Sequence, residues 1–245
     1  MLRDSLDHRL DTDPDFRWRG DGVSRVENLS DIVFALAFGM VVSARTPPVT
    51  FEDLQGVLFG IVPVAACFVI LVVIWKYHFM FFRRYGLTSR PVLVVNAVLL
   101  FVLLYLAYPL RFAFEGFFAF VLSGFGQFER LEEMRVDFPR SGVIMAYFAV
   151  GFGTIHALMG WLHTLAWRAR EALELNAVER ARTRERRRFH FGFGVLAILV
   201  TAAALFTPLY GNAGFLFFLS WPLGWWAGRA VPRTTPKKVA AEMEA

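Results

Sequence analysis

Six apolar blocks, each longer than about 18 residues, recur along this sequence and constrain its fold more than any other feature. They run Val26–Ala44, Gly56–Phe82, Pro91–Phe112, Ser141–Trp167, Phe189–Tyr210 and Gly211–Ala230. Each block is long enough to cross a hydrocarbon core about 30 Å thick. Hydrophobic residues make up 56% of the chain and charged residues 19%, a balance too apolar for a soluble domain. The sequence therefore predicts an all-α membrane protein with six transmembrane helices in each subunit.

Positive charge is distributed unevenly among the hydrophilic segments that separate these blocks. Twenty of the 26 Lys and Arg residues lie before the first block, between the second and third, between the fourth and fifth, or at the end of the sixth block and after it. Because cytoplasmic segments of membrane proteins are enriched in Lys and Arg, this pattern predicts that both termini are cytoplasmic. Residues 1–24 are expected to form a solvated N-terminal tail, residues 25–230 the membrane domain, and residues 231–245 a disordered C-terminal tail.

Two segments within the membrane domain do not fit a simple division into spans and loops. Residues 113–140 are rich in phenylalanine, which suits an extracytoplasmic loop, an interfacial segment, an extension of the third helix or a segment that dips into the bilayer. Residues 168–188 form a basic cytoplasmic linker in which Glu and Arg recur at helical spacing. Such spacing is compatible with a helical extension and is typical of a solvated helix face.

A group of polar side chains interrupts the first three apolar blocks, and all of them lie near the predicted cytoplasmic ends. A polar group inside a bilayer costs several kcal/mol unless it is partnered, so these residues need an explanation. Asp31 is expected to pair with Arg25, and the other side chains supply hydrogen-bond donors and acceptors at the same depth. We call this group the polar network: Arg25, Ser30, Asp31, Trp75, His78 and Asn96. It fits a packing clasp between three helices as well as a functional site.

The first block also has a stripe of mostly apolar residues. At 100° per residue, Ile32, Leu36, Met40 and Ser43 fall on one line along the helix, turned away from the polar start. If the stripe faces lipid, it carries no functional information. If it faces a symmetry axis, copies from several subunits form rings of Leu36 and Met40, a hydrophobic constriction that gates by dewetting. Periodicity alone does not decide between these two orientations.

The ordered combination of these residues resembles a known family. The run from Arg25 to Leu36, Arg-Val-Glu-Asn-Leu-Ser-Asp-Ile-Val-Phe-Ala-Leu, is similar to the signature that opens the transmembrane protein 175 family of potassium channels: Arg, three residues, then Phe-Ser-Asp. Trp75 and His78 match that family's Trp-x-x-His element, and the segment around Asn96 resembles its third helix. The resemblance extends across the first three predicted spans.

This resemblance implies a potassium-permeable cation channel in the cell membrane of a prokaryote. It implies four identical chains whose first helices line the pore, with the polar network bracing the first three helices. By position, Leu36 matches the narrow hydrophobic ring, and Met40 and Ser43 match the next two layers. The family has no Thr-Val-Gly-Tyr-Gly filter, and none occurs here. Potassium ions, lipid and further copies of the chain are the expected partners; no enzymatic activity, cofactor, metal site or nucleic-acid partner is expected.

Four positions depart from the family pattern. Leu29 stands where phenylalanine is usual, and Phe79 stands where a second histidine is found. Gly39 replaces a small hydroxyl residue, and Ser43 replaces a bulky apolar one. The last two changes predict a wider and wetter outer constriction, which leaves the degree of potassium preference open.

Two other functions are compatible with parts of the sequence. A secondary transporter is compatible with prolines in several spans, which could break helices around a midplane site, although no acidic residue lies at the middle of a span. Haem or metal ligation rests on His156 and His163, which lie seven residues apart on one helix face. The net charge of +5 is explained by membrane topology and does not indicate nucleic acid.

Overall fold

A computed structural model describes residues 16–20, 22–43 and 48–229, and every regular element in this part of the chain is helical. The elements are α1 Arg25–Ser43, α2 Phe51–Phe59, α3 Ile61–Tyr85, α4 Arg90–Ser123, α5 Glu129–Glu133, α6 Phe138–Arg168, α7 Ala177–Phe206, a 3-10 helix Tyr210–Leu219 and α8 Ser220–Gly228. The predicted tail at residues 231–245 and the first 15 residues lie outside the described part.

Five helical segments are long and apolar enough to cross a membrane: Arg25–Ser43, Asp53–Tyr85, Arg90–Ser123, Phe138–Arg168 and Ala177–Phe206. They correspond to the first five apolar blocks, so the prediction of an all-α fold with several membrane helices is confirmed. The second segment includes most of α2, whose first turn is fixed by a capping box between Thr50 and Asp53.

The sixth apolar block folds differently from a single α-helix. Its first half is the 3-10 helix, and its second half is the nine-residue α8. Pro222 explains the change of helix type, because proline lacks an N–H and its ring clashes with the carbonyl four residues earlier. Proline fits best in the first turn of an α-helix, and α8 accordingly begins at Ser220, two residues before Pro222.

The two ambiguous segments are largely helical. α4 continues through Pro109 to Ser123, so the first part of segment 113–140 extends the third membrane helix. The same segment ends where Asp137 caps α6 by accepting a hydrogen bond from the Arg140 backbone N–H. In the basic linker, a capping box between Asn176 and Glu179 starts α7, so this helix begins three turns before the predicted fifth block.

The helices pack in two connected groups. α1 lies against α3 and α4, while α6 packs along α7 and the 3-10 helix, and contact between α4 and α6 joins the groups. Small residues allow the closest approach: a Cβ added to Gly153 of α6 would lie 2.5 Å from the Cβ of Ala197 in α7. Among the described elements, α1 contacts only α3 and α4, which leaves its other face uncovered.

Candidate functional site

The start of α1 is fixed by a capping box that ties the helix to α3. The Ser24 backbone N–H donates to Oε2 of Glu27 at 2.7 Å, and the Glu27 N–H donates to Oγ of Ser24 at 3.2 Å. Glu27 is buried, and its Oε1 lies 3.6 Å from Nε of Arg83 near the end of α3. Sequence reasoning missed this cap, although the pattern Ser-x-x-Glu before an apolar run is a signal for it.

The centre of the polar network is a buried chain of hydrogen bonds across three helices. Ser30 Oγ on α1 donates to the carbonyl of Val26 at 2.7 Å and accepts from Nδ2 of Asn96 on α4 at 3.1 Å. Oδ1 of Asn96 lies 2.7 Å from Nε2 of His78 on α3. Because a carboxamide oxygen only accepts, this contact requires the proton of His78 to be on Nε2. The three side chains are buried and fix the rotation of α1 relative to α3 and α4.

A second link of the polar network lies at its exposed edge. The Trp75 indole Nε1–H donates to Oδ1 of Asp31 at 2.9 Å, and the Trp75 ring stacks on Phe79 with centroids 5.5 Å apart. The structure thus brings Ser30 and Asp31 of α1 into contact with residues of both neighbouring helices.

Arg25 is the member of the polar network that does not contact its predicted partner, Asp31. It is exposed at the first residue of α1, and no ion pair joins it to Asp31 in the described part of the chain. Six residues correspond to about 600° of helix rotation, so the two side chains leave α1 about 120° apart. Within one subunit, Asp31 is bonded by Trp75 instead.

The predicted stripe lies on the uncovered face of α1. Ile32 is 66% exposed and Leu36 is 54% exposed; Ser43 is exposed and Met40 is half-buried. A Cβ added to Gly39 on the same face would meet nothing within 4 Å. No described element covers this face, which suits it to a contact outside the described part of the chain.

Arg111 anchors the other end of α1 and was not predicted to do so. It is buried in α4, its Nη1 donates to the carbonyls of Val41 and Val42, and its Nε donates to Oε1 of Glu115 at 3.0 Å. The last carbonyls of a helix have no partner within the helix, and a cation stabilises them. Arg111 lies near the end of the third apolar block, and its four-residue spacing from Glu115 was the available sequence signal.

The segment just before α1 also makes buried contacts that the sequence did not indicate. Arg19 donates to both carboxylate oxygens of Glu179 at 3.0 and 2.8 Å and to the Leu173 carbonyl at 2.7 Å. The backbone N–H of Arg17 donates to the same carboxylate at 2.9 Å. Glu179, expected on a solvated face, is instead buried beside this segment.

Residues 16–20 also contact the end of α3. The ring of Phe16 is buried edge-on against Tyr85, with centroids 5.6 Å apart. Gly86, the C-cap of α3, has φ +58°, and a Cβ there would lie 2.8 Å from the Arg19 carbonyl. Both the left-handed conformation and the close approach require glycine at this position. Residues 16–20, which precede α1, therefore contact both the end of α3 and the beginning of α7.

The histidines of the fourth span bond within the helix pair α6 and α7. His156 Nδ1 lies 3.0 Å from Nδ1 of His190, and Nδ1 of His163 donates to the Met159 carbonyl at 2.8 Å. In the described part of the chain, no group of three or more His, Cys, Asp or Glu side chains could hold a metal ion.

This geometry can be compared with known proteins. Residues 25–106, which include α1 and the whole polar network, match the family described as the endosomal/lysosomal potassium channel TMEM175. A relative from Marivirga tractuosa, named a potassium channel, is 31% identical over 223 residues, which span 86% of this chain and 88% of that protein. The chain belongs to the TMEM175 family. The resemblance found in the sequence is thus confirmed.

A solved structure of a TMEM175 protein extends the comparison beyond the first three spans. It is the crystal structure of a threonine-to-alanine variant of the potassium channel MtTMEM175 in complex with a nanobody–MBP fusion protein. It is 30% identical to this chain, has a TM-score of 0.78, and the match covers 88% of this chain and 96% of that one. Because TMEM175 proteins are channels, the prediction that this chain is not an enzyme is also confirmed.

Proposed function

We propose that the chain is one subunit of a potassium-permeable cation channel whose pore is lined by α1 from several copies. The observation that carries this proposal is that α1 is held at both ends by buried polar contacts while Ile32 and Leu36 remain exposed between them. The potassium channels to which the chain is similar support the choice of ion.

The composition of the exposed face favours a pore over a lipid contact. Gly39 and Ser43 interrupt a stripe that is otherwise bulky and apolar, so rings of several copies alternate between narrow and wide layers. Leu36 and Met40 lie one turn apart, about 6 Å along the axis, and Ser43 lies about 10 Å from Leu36. A ring of Leu36 side chains gives a hydrophobic constriction that excludes water when it is narrow, and the Ser43 layer remains wetted.

The arrangement of the arginines supports an orientation with both termini in the cytoplasm. The contacts of Arg19 with Glu179 and of the Arg19 backbone N–H with the Arg83 carbonyl bring three basic segments together at one end of the bundle. Cytoplasmic faces of membrane proteins carry such positive charge. An odd number of spans would put the termini on opposite sides, so this orientation needs a sixth crossing.

The 3-10 helix and α8 are the candidates for that sixth crossing. At about 2.0 Å per residue in the 3-10 helix and 1.5 Å in the α-helix, the two together reach about 33 Å. Leu219 and Ser220 at their junction both have helical φ and ψ. We propose that four such six-span chains form a homotetramer in the cell membrane. In this homotetramer the four α1 stripes face one another around the symmetry axis.

A reversal-potential measurement tests the pore. Purified protein is inserted in a planar bilayer with potassium on one side and sodium on the other, as wild type, as Leu36→Ala and as Leu199→Ala. Leu199 is 57% exposed on α7, so it controls for loss of an exposed leucine away from α1. We expect a current that reverses toward the potassium potential and a conductance changed by Leu36→Ala alone.

Other outcomes of this experiment count against the proposal in different ways. Equal effects of both substitutions would show that Leu36 does not line the conduction path. Saturable potassium flux without unitary currents, from intact oligomers, would replace the channel by a secondary transporter.

A further inference from the structure

A cavity of about 300 Å³ lies between α3 and α7, on the side of α3 that faces away from the polar network. The α3 residues that line it include Val73, Tyr77 and Arg84, which lie about half a turn around the helix from Trp75. The cavity therefore belongs neither to the uncovered face of α1 nor to the contacts that anchor it. Two of its lining residues, Arg84 and Arg186, lie at the arginine-rich end of the bundle.

The walls of the cavity are positively charged. Lys76 and Arg84 contribute from α3, and Arg186 contributes from α7. The Arg186 guanidinium lies 5.7 Å from the centroid of Tyr77, and that of Arg84 lies 4.6 Å from the ring of Phe16. Among the described residues that line the cavity there is no carboxylate. Cations grouped at the edge of a low-dielectric region favour the binding of an anion.

A buried ring nitrogen gives the cavity a further polar contact. His190 is 1% exposed and lines the cavity, and its Nδ1 is engaged with His156 at 3.0 Å. Its Nε2 is buried and has no hydrogen-bond partner in the described part of the chain. Buried polar atoms are nearly always satisfied, and an oxygen-rich ligand that reaches this nitrogen would supply the missing partner.

Apart from Tyr77 and from His163 of α6, the remaining walls are apolar and lead toward lipid. Val73, Met80 and Phe81 line the cavity, and Val73 is itself 44% exposed. Next to it, Val69 and Val72 extend an exposed apolar strip along α3 away from the basic end. A free anion would use only the basic part of this site, whereas an anion attached to an acyl chain uses both parts.

We propose that this cavity binds an anionic phospholipid of the arginine-rich leaflet, with its phosphate among Lys76, Arg186 and His190 and an acyl chain along the α3 strip. Basic pockets between membrane helices on the cytoplasmic side are suited to such headgroups. The backbones of α3 and α7 do not approach closely among the described elements. Side chains bridge the two helices at Tyr77 and His190, whose ring centroids lie 5.3 Å apart, and at Tyr85 and Thr183, whose hydroxyls lie 2.8 Å apart. The lipid occupies the space that these contacts leave between the helices. The inference requires insertion in a membrane but not ion conduction.

Native mass spectrometry of the full-length chain in detergent tests this site. The protein is titrated separately with phosphatidylglycerol, phosphatidylcholine and inorganic phosphate. We expect a first phosphatidylglycerol molecule to bind more tightly than phosphatidylcholine, and inorganic phosphate to compete only weakly because it lacks the acyl chain. Arg186→Gln is expected to weaken that first binding step about fivefold, as for loss of one basic residue near an anionic lipid.

Arg188→Gln is the matched control, because it removes the same charge from an exposed position two residues further along α7. Lys76→Gln, on the opposite wall and exposed, tests the site independently if Arg186→Gln fails to fold. Equal weakening by Arg186→Gln and Arg188→Gln would overturn the site in favour of general surface charge. Equal binding of the two lipids, or phosphate binding without lipid binding, would overturn the lipid assignment.

Discussion

Replacement of Asn96 by leucine tests whether the polar network holds α1 in place. The substitution conserves approximate volume but removes both hydrogen bonds, at 3.1 Å to Ser30 and 2.7 Å to His78. Ser30 keeps its bond to the Val26 carbonyl, whereas the Nε2–H of His78 loses its acceptor in a buried position. Interhelical hydrogen bonds in membranes contribute about 0.6 kcal/mol on average, and an orphaned buried donor costs about 1–3 kcal/mol. We expect a loss of about 2–3 kcal/mol.

The measurement is reversible unfolding in mixed micelles by a denaturing detergent, followed by tryptophan fluorescence. Asn212→Leu is the control, because it replaces an exposed asparagine of the 3-10 helix. A second substitution, His78→Phe, is designed to rescue Asn96→Leu. Phe34 and Phe82 already surround His78, at centroid distances of 5.5 and 4.8 Å, so a phenyl ring suits this position.

The double variant carries the sharper test. It has no orphaned donor, so it is expected to recover at least half of the stability lost in Asn96→Leu. If Asn96→Leu is no less stable than Asn212→Leu, the polar network does not stabilise the helix packing. If the double variant is less stable by the sum of the single effects, the loss comes from packing, and the hydrogen-bond argument is refuted.

Three further predictions concern the two ends of α1 and its exposed face. Arg111→Met leaves the Val41 carbonyl without its charged donor and should lower the unfolding free energy, in the same assay, by about 2–3 kcal/mol; an unchanged value would exclude a capping role. Glu179→Gln weakens the ion pair with Arg19 and should speed tryptic cleavage in residues 16–20; cleavage at the wild-type rate would show that the ion pair does not hold this segment. Gly39→Ser fits the open space beside α1 and should leave stability unchanged while shifting the potassium–sodium reversal potential; destabilisation would mean that another element covers this face.

The sequence predicted well those features that depend on composition and helical spacing. Five of the six apolar blocks form helices of membrane length. A long apolar run predicts a membrane helix by itself, because the prediction does not depend on contacts with the rest of the chain. Ser30, Asn96 and His78 were found because polar side chains are rare in apolar helices, and their common depth implied contact. Hydropathy did not distinguish a 3-10 helix from an α-helix in the sixth block.

The features that sequence reasoning missed depend on contacts between distant parts of the chain. The role of Arg111 cannot be predicted from charge distribution, since an arginine near the end of an apolar block can belong to a loop or cap a neighbouring helix. Phe16 contacts Tyr85 across 69 positions, and nothing in the short segment around it has a helical or strand period. The partner of Asp31 was placed on the wrong residue because Trp75, rather than Arg25, lies on the side of α1 that Asp31 faces.

In the channel that we propose, the anchors of α1 limit how a gate at Leu36 would open. Ser30 and Val41, the two buried points of attachment, are eleven residues or about 16 Å apart along the helix, and Leu36 lies near the middle. A rotation of α1 alone would break the bonds to Asn96 and to Arg111, both of which belong to α4. Opening by movement must therefore carry α1, α3 and α4 together as one unit. Without such movement, the pore would open only when water enters the Leu36 ring. A polar substitution in the neighbouring Gly39 layer would favour entry of water.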